Sequence, residues 1–290
     1  MLHAHPFRFT SADGLSISCT RWDGGRTPTG VVQIAHGLGE HIGRYAGLIE
    51  CLVDAGLVVY GNDHRGHGHT APSPKFFGDF GPGGFDLLVE DMHQLSCIAM
   101  GEQPGRPLTL LGHSMGSFAA QKYALDYSEC ISGLALSGSG ALDGLVEVVR
   151  FSGRDPGDLL NARFQPARTP CDWLSRDPAT VDAFLSDPLC FGWLQPAAAE
   201  SFFAAAAELA DPARLTNIRR DLPIYLFSGT EDPVGQRLRG FAILIGRYRQ
   251  AGVYDVSYDF YSGGRHEMLN ETNREEVRRN LLRWIAQVIG

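Results

Sequence analysis

The chain has no apolar run long enough to span a bilayer. Its first residues, MLHAHPFRFTSADG, lack the basic start, extended apolar stretch and small-residue cleavage site of a secretory signal. Cysteine pairing signals are missing too: Cys19, Cys51, Cys97, Cys130, Cys171 and Cys190 are scattered without a CxxC pair. A chain of 290 residues folds without disulfide staples. The expectation is therefore a cytoplasmic protein with free thiols, several of them buried as small apolar residues. Basic charge is scarce, 25 Lys and Arg against 33 Asp and Glu, a net charge of -8. That disfavours the phosphate attraction on which nucleic-acid binding depends. There is neither an internal repeat nor a low-complexity linker, which excludes solenoids and tethered arrays.

What is present is a composition of 44% hydrophobic and 20% charged residues, enough for one large domain or a domain carrying an insertion. Residues 7–22 alternate apolar and polar on either side of Asp13-Gly14, which predicts an opening hairpin with a tight turn. Apolar runs without alternation then recur at 31, 57, 108, 133, 224 and 256, the pattern of strands buried on both faces. Helical stripes separate them: Tyr45, Leu48, Ile49, Leu52 and Val53 before Gly56, then Phe85, Leu88, Val89, Met92 and Leu95. A final stripe follows a capping box of Thr272 with Glu275. Strand-helix alternation predicts an α/β fold, a mostly parallel sheet flanked by helices. Residues 143–212 interrupt the rhythm with frequent Pro and dense aromatics, including Phe151, Trp173, Phe191, Trp193, Phe202 and Phe203. They read as a helical cap inserted in a core made of 1–142 and 213–290, its aromatics mostly its own core.

The chemistry-bearing stretch is LTLLGHSMGSFAAQKYAL, a buried strand passing through Gly112-His113-Ser114-Met115-Gly116 into a helix. A G-x-S-x-G turn in that context exposes a strained serine hydroxyl, and side chains at 112 and 116 would collide with neighbouring backbone. A nucleophilic serine needs a base and an acid, and candidates end two later strands: Asp232 in GTEDPV and His266 in GGRHEML. The ends of strands are where open α/β sheets place their sites. Glu231 competes with Asp232 on spacing alone. An oxyanion hole needs two N–H donors; the glycine-bent loop after the first core strand offers Leu38, and the residue after the serine offers Met115.

A competing constellation is NDHRGHGHT, residues 62–70, where His64, His67 and His69 stand beside Asp63. Histidine is a zinc ligand, so this tract raises a metal-dependent hydrolase. A non-catalytic binding protein on the same scaffold is the third class, one with no need of serine, acid and base together.

HGLGEHIGRY, NDHRGHGHT, GHSMGS, GTEDPV and GGRHEMLNE together resemble the α/β-hydrolase branch that contains monoglyceride lipases and bacterial lysophospholipases. The likeness runs from about residue 10 to 288 and includes SRDPATVDAFLSDPL in the cap. It implies a triad of Ser114, Asp232 and His266, with Asp232 rather than Glu231 as the acid. It implies oxyanion donors at the N–H groups of Leu38 and Met115. It also implies that NDHRGHGHT is a glycine-bent structural loop bracing the oxyanion strand, with no metal and no cofactor. The expected reaction is hydrolysis of a lipid ester through an acyl-enzyme, most simply a monoacylglycerol, with lysophospholipid or short-chain ester as alternatives. The cap surface is expected to touch micelles or membranes transiently.

Overall fold

The opening hairpin forms as β1 (His3–Thr10) and β2 (Ser16–Asp23), paired from His3 opposite Asp23 to Thr10 opposite Ser16. The connection is wider than a two-residue turn on Asp13-Gly14: residues 11–15 lie outside the ladder and only Gly14 has positive φ, 88°. Asp13 is drawn elsewhere, accepting the Leu15 N–H and pairing with Arg65 at 3.0 Å.

The computed structural model describes residues 1–290, and after the hairpin it alternates strand and helix. In chain order come β3 (Val31–Ala35), α1 (Ala46–Asp54), β4 (Val58–Asn62), α2 (Gly84–Glu102), β5 (Leu108–His113), α3 (Met115–Tyr127) and β6 (Gly133–Ser137). Helices α4 (Leu142–Ser152), α5 (Pro156–Asn161), α6 (Pro178–Ser186), α7 (Pro196–Ala210) and α8 (Pro212–Leu215) follow without a strand. The sheet resumes with β7 (Ile224–Gly229), α9 (Arg239–Gln250), β8 (Val256–Tyr261) and α10 (Arg274–Ile289).

These strands make one eight-stranded sheet in the order β1-β2-β4-β3-β5-β6-β7-β8. The strands from β3 to β8 run parallel, and β2 joins β4 antiparallel. Every residue of β3, β4, β5, β6 and β7 is buried. The cause is a helical layer on each face: α2, α3 and α9 pack on one side, α1 and α10 on the other. Because β3 lies between β4 and β5, the chain leaves it in one direction and returns on its other flank. The loops after β3 and β5 therefore diverge around a crevice at the carboxyl edge of the sheet.

Four expectations need correcting. Strand β8 is not buried on both faces: it is an edge strand, Tyr258 is exposed, and Asp259 accepts the Tyr225 hydroxyl at 2.7 Å. The capping box at Thr272 and Glu275 does not form, because Glu271 takes both the N–H (2.7 Å) and the hydroxyl (3.1 Å) of Thr272. Helix α10 instead begins after Asn273. Of the six free cysteines only Cys19 is fully buried, and Cys97 is exposed. The aromatics of 143–212 do not make a core of their own. Phe202 of α7 packs edge-on against Phe85 of α2 (5.0 Å) and Phe118 of α3 (5.8 Å), joining the main core, while Phe151 and Trp193 are exposed. No helix is long and apolar enough to cross a membrane.

Candidate active site

Ser114 sits between β5 and α3 with φ 53° and ψ −122°, a conformation that strains an L-residue by about 1–3 kcal/mol. The flanking glycines show why the turn can be so sharp. A Cβ on Gly112 would lie 2.4 Å from the Gly116 carbonyl oxygen, and one on Gly116 would lie 2.2 Å from that of Ala35. The turn is tied to the next strand by the Ser114 N–H, which donates to the Ser137 carbonyl at 2.9 Å. His113 and Met115 are buried, whereas Ser114 between them is half-buried.

Asp232, after β7, and His266, after β8, meet beside this turn, where the His266 ring packs on that of His113. His266 Nδ1–H donates to Asp232 Oδ1 at 3.0 Å, and both side chains are almost wholly buried. Asp232 is held in turn by the Ser228 hydroxyl (2.8 Å) and the Val234 N–H (2.9 Å). Burial alone would lower the imidazole pKa, but the Asp232 charge and hydrogen bond outweigh it and raise His266 above the ordinary histidine value. For Asp232, burial is likewise outweighed, chiefly by His266, and its carboxyl is held below the usual range. Glu231 is paired with Arg237 at 3.4 Å. The His266 ring lies between His113 (centroids 4.7 Å apart) and Trp173 (4.9 Å). Ser114 Oγ and His266 are not hydrogen-bonded in this conformation, as is common before substrate binds.

The loop after β3 lies against the serine turn, since a Cβ on Gly37 would come within 3.1 Å of Ser114 Cβ. Its shape is fixed from three sides. His36 Nε2 accepts the His64 N–H at 2.9 Å, which leaves Nδ1–H to donate to the Gly37 carbonyl at 2.8 Å. Glu40 accepts the Gly37 N–H at 2.6 Å. Phe191 N–H donates to the Gly39 carbonyl at 2.9 Å. Leu38 N–H is left without an acceptor in the protein. Met115 N–H is the first of α3, where helical donors have no intrahelical acceptor. Two N–H groups without an acceptor, those of Leu38 and Met115, thus belong to the loop and the turn that meet at Ser114.

The histidines of residues 62–70 do not converge. His64 and His67 are buried rings packed on His36, with centroids 4.3 and 5.3 Å away, and His69 is exposed. Burial, reinforced by His36, pushes His67 down to about 3, so it is a neutral core ring. The tract braces the loop after β3: His64 through its N–H to His36, and Asp63 by accepting the N–H groups of Ile42 (3.0 Å) and His69 (2.7 Å). Another histidine, His41, lies with Asp187 and Cys190 at metal-ligand spacing. That closeness is already explained by a hydrogen bond. Gly43 N–H donates to His41 Nδ1, so the proton is on Nε2 and donates to Asp187 Oδ2 at 2.8 Å.

Several site residues carried no motif of their own. Glu40 and Arg44 sit in the same glycine-rich stretch as Leu38, Glu267 follows His266, and Trp173 comes from between α5 and α6. The available signal was the pairing of Glu40 and Arg44 at i, i+4 in a glycine-rich loop, a spacing that suits an ion pair.

A family model described as Hydrolase_4, serine aminopeptidase S33, matches residues 26–273. The chain is 31% identical over 284 residues to a monoacylglycerol lipase of Mycolicibacterium smegmatis, covering 96% of this chain and 95% of the relative. It is 27% identical to the monoglyceride lipase of Mus musculus, covering 97% and 90%. Among solved structures, a thermostable carboxyl esterase from Bacillus coagulans in complex with glycerol superposes with a TM-score of 0.87 at 31% identity, covering 99% of each chain. The chain belongs to the Hydrolase_4 family within the α/β-hydrolase superfamily and is a serine ester hydrolase.

Proposed function

We propose that the protein hydrolyses monoacylglycerols to fatty acid and glycerol through an acyl-enzyme on Ser114. The observation that carries this reading is the buried Asp232–His266 pair, its ring packed on His113 next to the strained Ser114, together with the N–H groups of Leu38 and Met115 that have no acceptor. In the proposed mechanism His266 Nε2 takes the Ser114 proton as Oγ attacks the ester carbonyl, and Asp232 holds the ring and stabilises its charged form. The N–H groups of Leu38 and Met115 hold the oxyanion. His266 then protonates the departing glycerol oxygen. A water activated by the same imidazole releases the fatty acid and restores the serine.

Residues 143–212 act in this reading as a cap on a core made of 1–142 and 213–290. Its outward apolar side chains, Phe151 and Val148 on α4 and Trp193 before α7, suit transient docking on the micelles or membranes that carry such substrates. The substrate assignment is supported by the full-length likeness to lipases named for monoacylglycerol. The test is fatty acid release by wild type and Ser114→Ala from short-chain esters, long-chain monoacylglycerol and lysophosphatidylcholine, with and without chelator. Serine-dependent, chelator-insensitive release that is fastest on monoacylglycerol is expected. A preference for either other substrate replaces the substrate assignment, and equal rates in the two proteins overturn the site.

A further inference from the structure

Arg44 lies in the short turn Ile42–Tyr45 that follows the oxyanion loop, and its guanidinium is enclosed between two carboxylates. Nη1 donates to Glu40 Oε2 at 2.8 Å and to Glu267 Oε1 at 2.7 Å, while Nη2 donates to Glu267 Oε2 at 2.8 Å. The side chains of Arg44, Glu40 and Glu267 are 9%, 4% and 5% exposed. Each carboxylate reaches a different part of the site. Glu40 Oε1 accepts the Gly37 N–H and the Tyr45 hydroxyl, both at 2.6 Å, and so shapes the turn that leaves Leu38 N–H free. Glu267 is bonded to His266 through the chain, its own N–H fixed by the Leu174 carbonyl at 2.8 Å. The outer side of the guanidinium lies over the Phe184 ring of α6 at 5.0 Å. One side chain therefore joins the oxyanion loop, the histidine loop and the helical segment between β6 and β7.

A buried ion triad is a weak device for stability, because desolvating three charges offsets most of their attraction and an apolar trio of similar volume does as well. What such a triad supplies is direction: a planar guanidinium fixes both carboxylates at once, and only in one relative placement. The charges also fail to cancel. Two carboxylates against one guanidinium leave a net negative charge next to His266, where positive charge develops as the serine is attacked. The titratable groups acting on that imidazole are Asp232 from the loop after β7, Glu267 from its own loop and Glu40 from the oxyanion loop, with the His113 ring of β5 packed 4.7 Å away.

We propose that Arg44 is a positioning residue for hydrolysis: through Glu40 and Glu267 it holds the oxyanion donor loop and the His266 loop in the register that the Ser114 reaction needs. The proposal rests on the serine-hydrolase reading above.

The test uses Arg44→Ala, Arg44→Lys, Glu267→Gln and Ser114→Ala on a soluble short-chain ester. Rates are normalised to serine titrated to completion with a fluorophosphonate, so unfolded protein is not counted. Arg44→Ala is expected to lower kcat about a hundredfold, the effect of a small misplacement in a catalytic array, with KM little changed. Millimolar guanidinium ion should restore part of the loss. Arg44→Lys, a single point donor, should fall between. Should Arg44→Ala fold too poorly to purify, the near-isosteric Glu267→Gln decides: a lower kcat with the acid limb of kcat/KM moved to lower pH supports the proposal. Wild-type kcat per titrated serine, with only the unfolding midpoint lowered, overturns it and makes the triad purely structural. If Ser114→Ala stays active the serine reading itself fails. If Ser114→Ala is inactive while Arg44→Ala turns over normally, the positioning role alone fails.

Discussion

Gly39 and Phe191 meet backbone to backbone: the Phe191 N–H donates to the Gly39 carbonyl at 2.9 Å, and a Cβ on Gly39 would lie 1.8 Å from the Phe191 carbonyl oxygen. The loop after β3 and the segment between β6 and β7 are thus built as one surface. Gly39 also has φ 69°, where an L-residue is disfavoured by about 1–2 kcal/mol. Gly39→Ala is therefore expected to lower unfolding free energy by at least that amount and to reduce kcat/KM about a hundredfold by displacing Leu38 N–H. Urea unfolding and turnover of a soluble ester check both parts. Wild-type behaviour in both would mean that the Phe191 backbone yields freely.

The strain at Ser114 separates function from stability. Ser114→Ala and Ser114→Gly should each abolish turnover, by about a million-fold on the precedent of serine proteases. Only glycine accepts φ 53° and ψ −122° without strain, so Ser114→Gly should also raise stability by about 1 kcal/mol, while Ser114→Ala does not. Thermal unfolding of the three proteins measures this. Equal midpoints for the two variants would show that the turn stores no strain.

The sheet, its flanking helices and the serine turn were legible because local pattern determines them: buried runs, 3.6-residue stripes and glycines where a Cβ collides. The Asp232–His266 pair was legible as candidates at strand ends, while their contact depends on β7 and β8 lying side by side. Glu40, Arg44, Glu267 and Trp173 were not legible as a group. They come from three widely separated segments, at 40–44, 173 and 267, and a buried charge reads in sequence like a surface one. The failed capping box has a similar cause, since Glu271, one residue earlier, competes for the same Thr272 groups. NDHRGHGHT misleads by composition, because two of its rings are packing elements and the useful groups are an N–H and a carboxylate.

The acid limb of activity should report the Asp232–His266 pair. As the proposed base His266 acts in its neutral form, and Asp232 raises its pKa against the lowering effect of burial. Activity should then rise with pH through a value above about 6.5. Replacing Asp232 with Asn leaves burial dominant, so the limb of kcat/KM should move to lower pH while kcat falls about ten-thousandfold, as in other triads. Stability follows the same pair. The raised His266 contributes most below about 6.5 and loses its contribution as pH rises through its folded value. The depressed Asp232 contributes most above about 3.9 and loses it as pH falls. The pair stabilises most between those limits, and a comparison of unfolding midpoints across pH should show Asp232→Asn losing most there.

Glu40 gives a second pH signature. Burial would raise its pKa, but Arg44 and its other neighbours hold it at about 2. Its contribution to stability is complete above the ordinary 4.5 and disappears as pH falls toward about 2. Wild type should lose stability steeply across that interval, and Glu40→Gln, less stable at neutral pH, should lose less. Parallel slopes for the two proteins would remove Glu40 from the acid-sensitive set.

The outward face of α4 offers the clearest separation between chemistry and substrate delivery. Val148 and Phe151 lie three residues apart on one side of the helix, 41% and 84% exposed, while Leu142 and Val146 are buried on the other side. An aromatic ring inserted in a lipid interface contributes about 1.5–3 kcal/mol of apolar burial, which is about ten- to a hundredfold in partitioning. Phe151→Ser combined with Val148→Ser should therefore reduce activity on vesicle-borne long-chain monoacylglycerol by about that factor, and vesicle co-sedimentation should fall in step. A soluble short-chain ester, which needs no docking, should be cleaved at the wild-type rate. An equal loss on both substrates would place the damage in the fold. No loss on either would mean that α4 does not meet the lipid surface, leaving Trp193 and Leu185 as the remaining exposed apolar contacts of the segment.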